Sequence, residues 1–325
     1  VWRFIGVVAD GVVAGMIANA CSRGRIGLPA ALLLVLSPLS MVVTGHHGNT
    51  DPVLSACLLA SVLAAGEGGR GAVWSGLWLG LATWVKFAAF LPGLLLAVYW
   101  LGTGWRGALR FSLVSALIAA AGWAPLLCVS GRVAEQIFGY SGALTGVWGW
   151  SWLMTWVGGV PFSGEGGSAA IVQVLKWLAV AVFVSSGIRL LRRGSSLTEA
   201  MAAGWCGLMF FAPSVGCQYL LWVQPFLVLT SFWLGLGFVI SGTLWAVAYY
   251  LAGIGDGPVI ATFPVAERES EWIPFALLIW GYLAVAWAVL MLRARDGTTP
   301  EPRVGPPPGQ SAVLAVCLWV GLWGR

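Results

Sequence analysis

The sequence predicts an all-α fold, a polytopic transmembrane helical bundle of about twelve segments. Three observations lead there. Of the 325 residues, 59% are hydrophobic and only 9% are charged, with a mean hydropathy of +0.88. A soluble domain carries about 25% charged residues, and a soluble surface this apolar would aggregate. Apolar runs that approach spanning length recur along the chain. The basic residues fall in short loops between those runs, on alternate sides, as the positive-inside rule requires.

Taken in order, the expected segments lie near 3–21, 27–44, 52–66, 72–87, 88–101, 108–129, 168–191, 197–213, 217–233, 236–252, 272–292 and 311–323. The runs 72–101 and 217–252 are long enough for two spans each. Residues 1–292 form the membrane core. Within it, 130–167 is an outer loop rich in Gly and Trp, including Val147-Trp148-Gly149-Trp150-Ser151-Trp152-Leu153. So apolar a loop is expected to lie in the membrane interface, where Trp prefers to sit. Residues 293–310, with Pro306-Pro307-Pro308, read as an extended cytoplasmic linker. Residues 311–325 supply a last segment. The chain opens inside an apolar run at Val1 and stops at Trp323-Gly324-Arg325, so a piece of a longer protein, cut at its N-terminus, is expected.

Orientation follows from the cations. Numbering the loops alternately, one set holds Arg23, Arg25, Arg70, Arg106, Arg110, Arg189, Arg192, Arg193, Arg293, Arg295 and Arg303 and is read as cytoplasmic. The other holds only Arg132, Arg268 and, at a helix end, Lys86, and receives Asp51, Glu135, Glu165, Asp256, Glu267, Glu269 and Glu271. The net charge of +5 and the pI near 9.1 therefore describe cytoplasmic loops rather than a nucleic-acid surface. No nucleic-acid partner is expected; the partner is membrane lipid. Cys21, Cys57, Cys128, Cys206, Cys217 and Cys317 occur singly, mostly in apolar runs, and read as buried structural thiols. The sequence contains no P-loop, dinucleotide fingerprint or HExxH. Gly11-xxx-Gly15 and Gly76-xxx-Gly80 have helix-packing spacing, in a chain where small residues are common.

Chemistry is concentrated in three places. Thr44-Gly45-His46-His47-Gly48-Asn49-Thr50-Asp51-Pro52 joins two spans on the outer side and holds the only two histidines. Polar groups at membrane depth are costly and tend to face a cavity or a substrate. Here His46 and His47 can donate to a phosphate or move a proton. Asp51 can act as a base, bind a sugar hydroxyl or hold a cation. The plain alternative is a turn set by Gly and Asn, with Asp51 capping the next helix and Pro52 in its first position. Adjacent histidines on a turn rarely face one ion, so the spacing assigns no metal. Lys86, in Thr83-Trp84-Val85-Lys86-Phe87, either snorkels to the interface or meets a lipid phosphate. Lys176, near Gln173, and Asp10 both fall inside spans and need partners; Asp10 can meet Lys176 or another cation. Finally, Pro213 and Gly216 break a helix before Gln218-Tyr219-Leu220-Leu221-Trp222 and Pro225. Gln218 and Tyr219 can hydrogen-bond a sugar or phosphate there, and Trp222 can stack on a sugar ring.

In this order and spacing, from the Ala9-Asp10 span to about Phe226, these stretches resemble the GT-C superfamily of membrane glycosyltransferases. Gly45-His46-His47-Gly48-Asn49-Thr50-Asp51-Pro52 is similar to the outer-loop motif of bacterial members and, more loosely, to the Gly-Asn loop of the GPI mannosyltransferase catalytic subunit. Lys86 falls where such proteins often place a lysine, and Gln218-Tyr219-x-x-Trp222 resembles their Gln-Tyr-x-x-Trp segment. The resemblance implies transfer of a hexose, mannose on the looser likeness, from a polyprenyl-phosphate-linked donor to a glycan or glycolipid acceptor at the outer face. It implies His46, His47, Asn49, Asp51, Lys86, Gln218, Tyr219 and Trp222 as substrate-binding residues. It leaves a divalent cation open and implies no other cofactor. The resemblance places the family's catalytic acid in a first outer loop and implies that this chain begins after it, so no residue here takes that role, Asp51 included, and this piece alone is expected to be inactive. Fifteen Arg against two Lys, with abundant Ala, Gly and Trp, suggest a GC-rich bacterial genome and the plasma membrane.

Two other classes share these features. A transporter or lipid-linked-sugar flippase also needs intramembrane polar residues, and predicts paired broken helices; the sequence displays one clear break, at 213–216. A non-catalytic scaffold leaves the His-His-Gly-Asn-Thr-Asp cluster without a role. The orientation is directly testable. In a cysteine-free background, Ser195→Cys should react with an impermeant maleimide only after the membrane is opened, and Ser163→Cys should react in intact cells. The reverse pattern would invert the topology.

Overall fold

The computed structural model describes residues 2–21, 27–47, 50–67, 70–129, 149–150, 153–154, 167–254 and 269–293. Among them every regular element is helical. In chain order these are α1 (Trp2–Ala20), α2 (Gly27–Val35), α3 (Pro38–Val42), a π-helical turn (Val43–His47), α4 (Asp51–Ala65) and α5 (Gly71–Val85). A 3-10 turn (Phe87–Ala89) leads to α6 (Phe90–Thr103), α7 (Trp105–Val129), α8 (Gly167–Arg192) and α9 (Leu197–Phe211). A second 3-10 turn (Cys217–Tyr219) precedes α10 (Leu220–Thr230), α11 (Phe232–Ile254) and α12 (Glu269–Arg293). The linker 293–310 beyond Arg293, the segment 311–325 and most of the 130–167 loop lie outside the described residues.

Among the described residues five stretches are long and apolar enough to cross a membrane: Leu28–Gly45, Trp105–Cys128, Ala170–Arg192, Phe232–Tyr250 and Ile273–Arg293. The packing sorts the helices into two kinds. Helices α4, α9 and α10 are buried almost all round, as expected of helices without a polar face. Helix α4 packs on α1, α5 and α10, and α9 on α8, α10 and α12. Helices α7, α8 and α12 instead turn large apolar side chains outward, among them Leu109, Leu113, Leu117, Val174, Trp177, Val285 and Leu292. Water would penalise that surface and lipid would not.

Proline lies at two of the irregularities, Pro38 and Pro225, and at both a side chain bonds a backbone group left without a helical partner. The run 27–44, expected as one span, is broken at Ser37. The residue before a proline is pushed towards extended geometry, and Ser37, at φ −60° and ψ 112°, caps α3 by accepting from the Ser40 amide at 3.3 Å. The buried Gln224 of α10 closes this break from across the core. It donates to Ser37 Oγ at 2.9 Å and accepts from Ser40 Oγ at 3.3 Å. Within α10, Pro225 has no N–H to give the Leu221 carbonyl, which accepts from Ser55 Oγ of α4 at 2.9 Å instead. That bond ties α10 to α4 one turn below Asp51.

The two glycine pairs behave differently. A Cβ on Gly76 would lie 2.6 Å from the Phe111 carbonyl, and one on Gly80 2.6 Å from Ile118 Cβ, so this pair lets α5 meet α7 backbone to side chain. Gly11 and Gly15 have nothing within 4 Å. The α8–α9 connection is short because Gly194, at φ +79°, turns the chain and a capping box then starts α9, Ser196 Oγ accepting from the Glu199 amide at 3.2 Å. Cys57, Cys206 and Cys217 are buried, as expected, but Cys128 is exposed near the end of α7 and Cys21 is only half-buried.

Trp150 is held by protein, packed edge-on to Trp280 at 5.0 Å and donating through Nε1 to the Phe210 carbonyl at 2.9 Å. Trp280 Nε1 donates to the same oxygen at 2.8 Å. Pro213 ends α9, leaving its last carbonyls without helical donors, and the two indoles serve this one.

The close approach of α5 and α7 makes a prediction. Gly76→Ala should lower stability by about 1–3 kcal/mol, the usual cost of overpacking. Gly102→Ala, at a helical position with nothing within 4 Å, should be neutral or stabilise by up to about 1 kcal/mol. Thermal unfolding of the two variants in detergent separates these outcomes.

Candidate functional site

Four of the residues singled out in the sequence come together where helices begin and end. Asp51 is the first residue of α4, Lys86 is the junction between α5 and the 3-10 turn, Tyr219 closes the turn before α10, and Trp222 lies in the first turn of α10.

Helix α5 stops at Val85 because Lys86 is extended, at φ −157° and ψ 133°. The Lys86 amide still bonds the Ala82 carbonyl at 3.1 Å. The next carbonyl along, that of Thr83, receives the Trp123 indole of α7 at 3.0 Å. Trp84 binds α7 in the reverse sense, donating to the Ile118 carbonyl at 2.6 Å. These two indoles fix the end of α5, and so the point from which the Lys86 side chain departs.

That side chain reaches across to α4 and to the start of α10. Its ammonium donates to Asp51 Oδ1 at 2.7 Å and lies 4.7 Å from the centre of the Tyr219 ring and 5.0 Å from that of Trp222. Both ring contacts are within cation–π range. The Lys86 side chain remains 32% exposed, while Asp51 is 0% exposed. Asp51 Oδ1 also accepts from Trp222 Nε1 at 2.7 Å. The start of α4 favours this carboxylate further, since the helix dipole is positive there.

Two expectations are thereby corrected. Asp51 does not cap α4: Thr50 precedes the helix without a side-chain cap bond, Asp51 is its first residue and Pro52 its second. The carboxylate faces an ammonium and an indole N–H, and a charged donor outcompetes a backbone amide. Trp222 offers a sugar almost no surface, being 5% exposed and packed against Tyr219 at 4.5 Å and Trp205 at 5.3 Å.

The remaining residues are placed as follows. Gln218 is half-buried and folds back over Gly216, whose Cβ, if present, would lie 2.6 Å from the amide oxygen; Cys217 Sγ meets that oxygen at 3.9 Å. His46 and His47 end the π-helical turn; their side chains, and Asn49, lie outside the described residues. Asp10 accepts from Thr44 Oγ1 of the same turn at 2.8 Å, a hydroxyl rather than the expected cation. Lys176 is half-buried on α8, and Gln173 is exposed. Among the described residues no three His, Cys, Asp or Glu side chains gather as a metal site. Two site neighbours were not foreseen. Ser55 gives no sequence signal, and Trp205 is one of 21 tryptophans.

The arrangement presents one partly exposed ammonium, fixed by a buried carboxylate and two rings, at a junction of three helix ends. It can receive an anion on its open side. No family model, no curated protein and no solved structure matches the chain.

The ion pair predicts a coupling. Breaking a fully buried pair costs about 3–5 kcal/mol, and the exposure of Lys86 lowers that figure. Asp51→Asn and Lys86→Gln should each destabilise, and the double variant should be less destabilised than their sum by about 1–3 kcal/mol. Additive losses in denaturation of the purified variants would mean the two charges are independent.

Proposed function

We propose that the chain is the multi-pass core of a membrane glycosyltransferase. In this reading it transfers a hexose, mannose on the looser likeness, from a polyprenyl-phosphate-linked donor to a glycan or glycolipid acceptor outside the cytoplasm. The bundle is then of GT-C type with about twelve segments, in a bacterial plasma membrane. The observation that carries the reading is the Lys86 ammonium, held by Asp51, Tyr219 and Trp222 with a third of its side chain open. The sequence resemblance described above adds to it.

The chemistry needs such a group. As an acceptor hydroxyl attacks the anomeric carbon, the glycosyl–oxygen bond breaks and the lipid phosphate departs with that electron pair. A fixed cation lowers the barrier by stabilising charge that develops on the leaving oxygen. Asp51 is committed to Lys86 and Trp222, so it orients the cation rather than accepting the hydroxyl proton. No described residue takes the part of the base. Tyr219 lies half-buried beside Lys86, where its hydroxyl can meet the donor or acceptor.

One observation favours a transporter or lipid-linked-sugar flippase instead. The break at Ser37 joins that at 212–216, giving two discontinuous helices of the sort that bind solutes in carriers. A single assay separates the two. The full-length gene product is reconstituted in liposomes and given polyprenyl-phosphate hexoses with radiolabelled sugar. We expect label to move to acceptor, with Lys86→Ala losing about 100-fold or more in kcat. Label that crosses the bilayer still attached to lipid would favour the flippase. Absence of transfer to any acceptor by folded protein would refute the enzyme.

A further inference from the structure

We infer that Trp222 is a positioning residue for Lys86, acting on it in two ways, through Asp51 and through its own ring. The inference rests on the reading of Lys86 as the cation of the site. Its geometry stands apart from the sugar, the lipid and the acceptor.

The indole and the ammonium share one oxygen, each 2.7 Å from Asp51 Oδ1. A carboxylate held by a single lysine can rotate with it. One that also accepts from a buried indole is fixed in direction, because the ring cannot move. Trp222 lies in the first turn of the buried helix α10, and Trp205 and Tyr219 pack against its ring. Helix α10 is fastened to α4 by the bond from Ser55 to the carbonyl freed by Pro225. The second action is direct, since the ammonium lies 5.0 Å from the centre of the same indole. Trp is the strongest of the aromatic residues in this role. Trp222 therefore fixes the anion and the cation of one pair, and directs the remaining ammonium protons to the open side.

Trp205 provides a natural comparison. It is as buried and as aromatic, and touches Trp222, yet its indole nitrogen has no hydrogen-bond partner. A role in packing alone would make the two tryptophans alike, whereas a positioning role belongs to Trp222.

The test reads the ammonium itself. The full-length protein in nanodiscs is treated with a limiting acylating reagent, and acylation of Lys86 is measured by peptide mass spectrometry against Lys176 as internal reference. Trp222→Phe should raise the Lys86 to Lys176 ratio by about fivefold, the factor for one lost hydrogen bond. Asp51→Asn should raise it at least as much, and Trp205→Phe should leave it unchanged. An unchanged ratio in Trp222→Phe, or an equal rise in Trp205→Phe, would overturn the inference. Under the transfer assay, Trp222→Phe should lower kcat by about tenfold while KM moves little; a rise in KM alone would also overturn it. If wild-type protein transfers no sugar, the enzymatic reading fails, and the acylation ratios still decide the role of Trp222.

Discussion

A carboxylate with no exposure has to be matched, and in this protein the match organises everything near it. Asp51 begins α4, and its charge is offset by Lys86 from the end of α5 and by the Trp222 indole from the start of α10. Three helix ends must therefore meet at one point. Removing any one partner leaves a buried charge short of a donor, which is far more costly than never having placed the charge there. The extended backbone at Lys86 follows from the same demand. A helical Lys86 would continue α5 instead of sending its side chain across to α4.

Below that point the core is held by a second kind of accounting, that of backbone hydrogen bonds. In a medium without water each unpaired carbonyl or amide is costly, so every interruption of a helix needs a substitute. The protein supplies them with side chains: Ser37, itself held by Gln224 of α10, at the break before α3, Ser55 at Pro225, and Trp123 at the end of α5. Each substitute also joins two helices. Proline and serine, which in water would only weaken these helices, here decide which of them lie side by side.

The sequence revealed the helices and the site to different degrees. A strongly apolar run bounded by loops is legible, and α5, expected over 72–87, occupies Gly71–Val85. Asp51, Lys86, Tyr219 and Trp222 were each legible as polar or aromatic residues at the ends of apolar runs. Their mutual contact was not, because nothing in a sequence brings position 51 to positions 86 and 222. The roles within the cluster followed from that contact. Asp51 reads as a helix cap until a lysine competes for it, and Trp222 reads as a sugar platform until its faces are seen to be occupied. The break at Ser37 was visible as Ser37-Pro38 but hidden by the apolar residues on both sides. Gly76-xxx-Gly80 and Gly11-xxx-Gly15 have the same spacing, and only the former meets a partner, since spacing does not specify what lies opposite.

The Phe210 carbonyl accepts from Trp150 of the 130–167 loop and from Trp280 of α12, using both of its lone pairs. A single oxygen atom is thus the hinge pin between a loop, the last described helix and the end of α9. It stands two residues before Ala212, and the strand of chain that leaves it runs through Pro213 and Gly216 to Tyr219 at the ammonium. Only 212–216 in that stretch lack helical structure, so a short non-helical connection and one 3-10 turn separate this oxygen from the Tyr219 ring. Two parts of the molecule far apart in sequence, the 130–167 loop and α12, are thus anchored a few residues along the chain from the ring beside the ammonium.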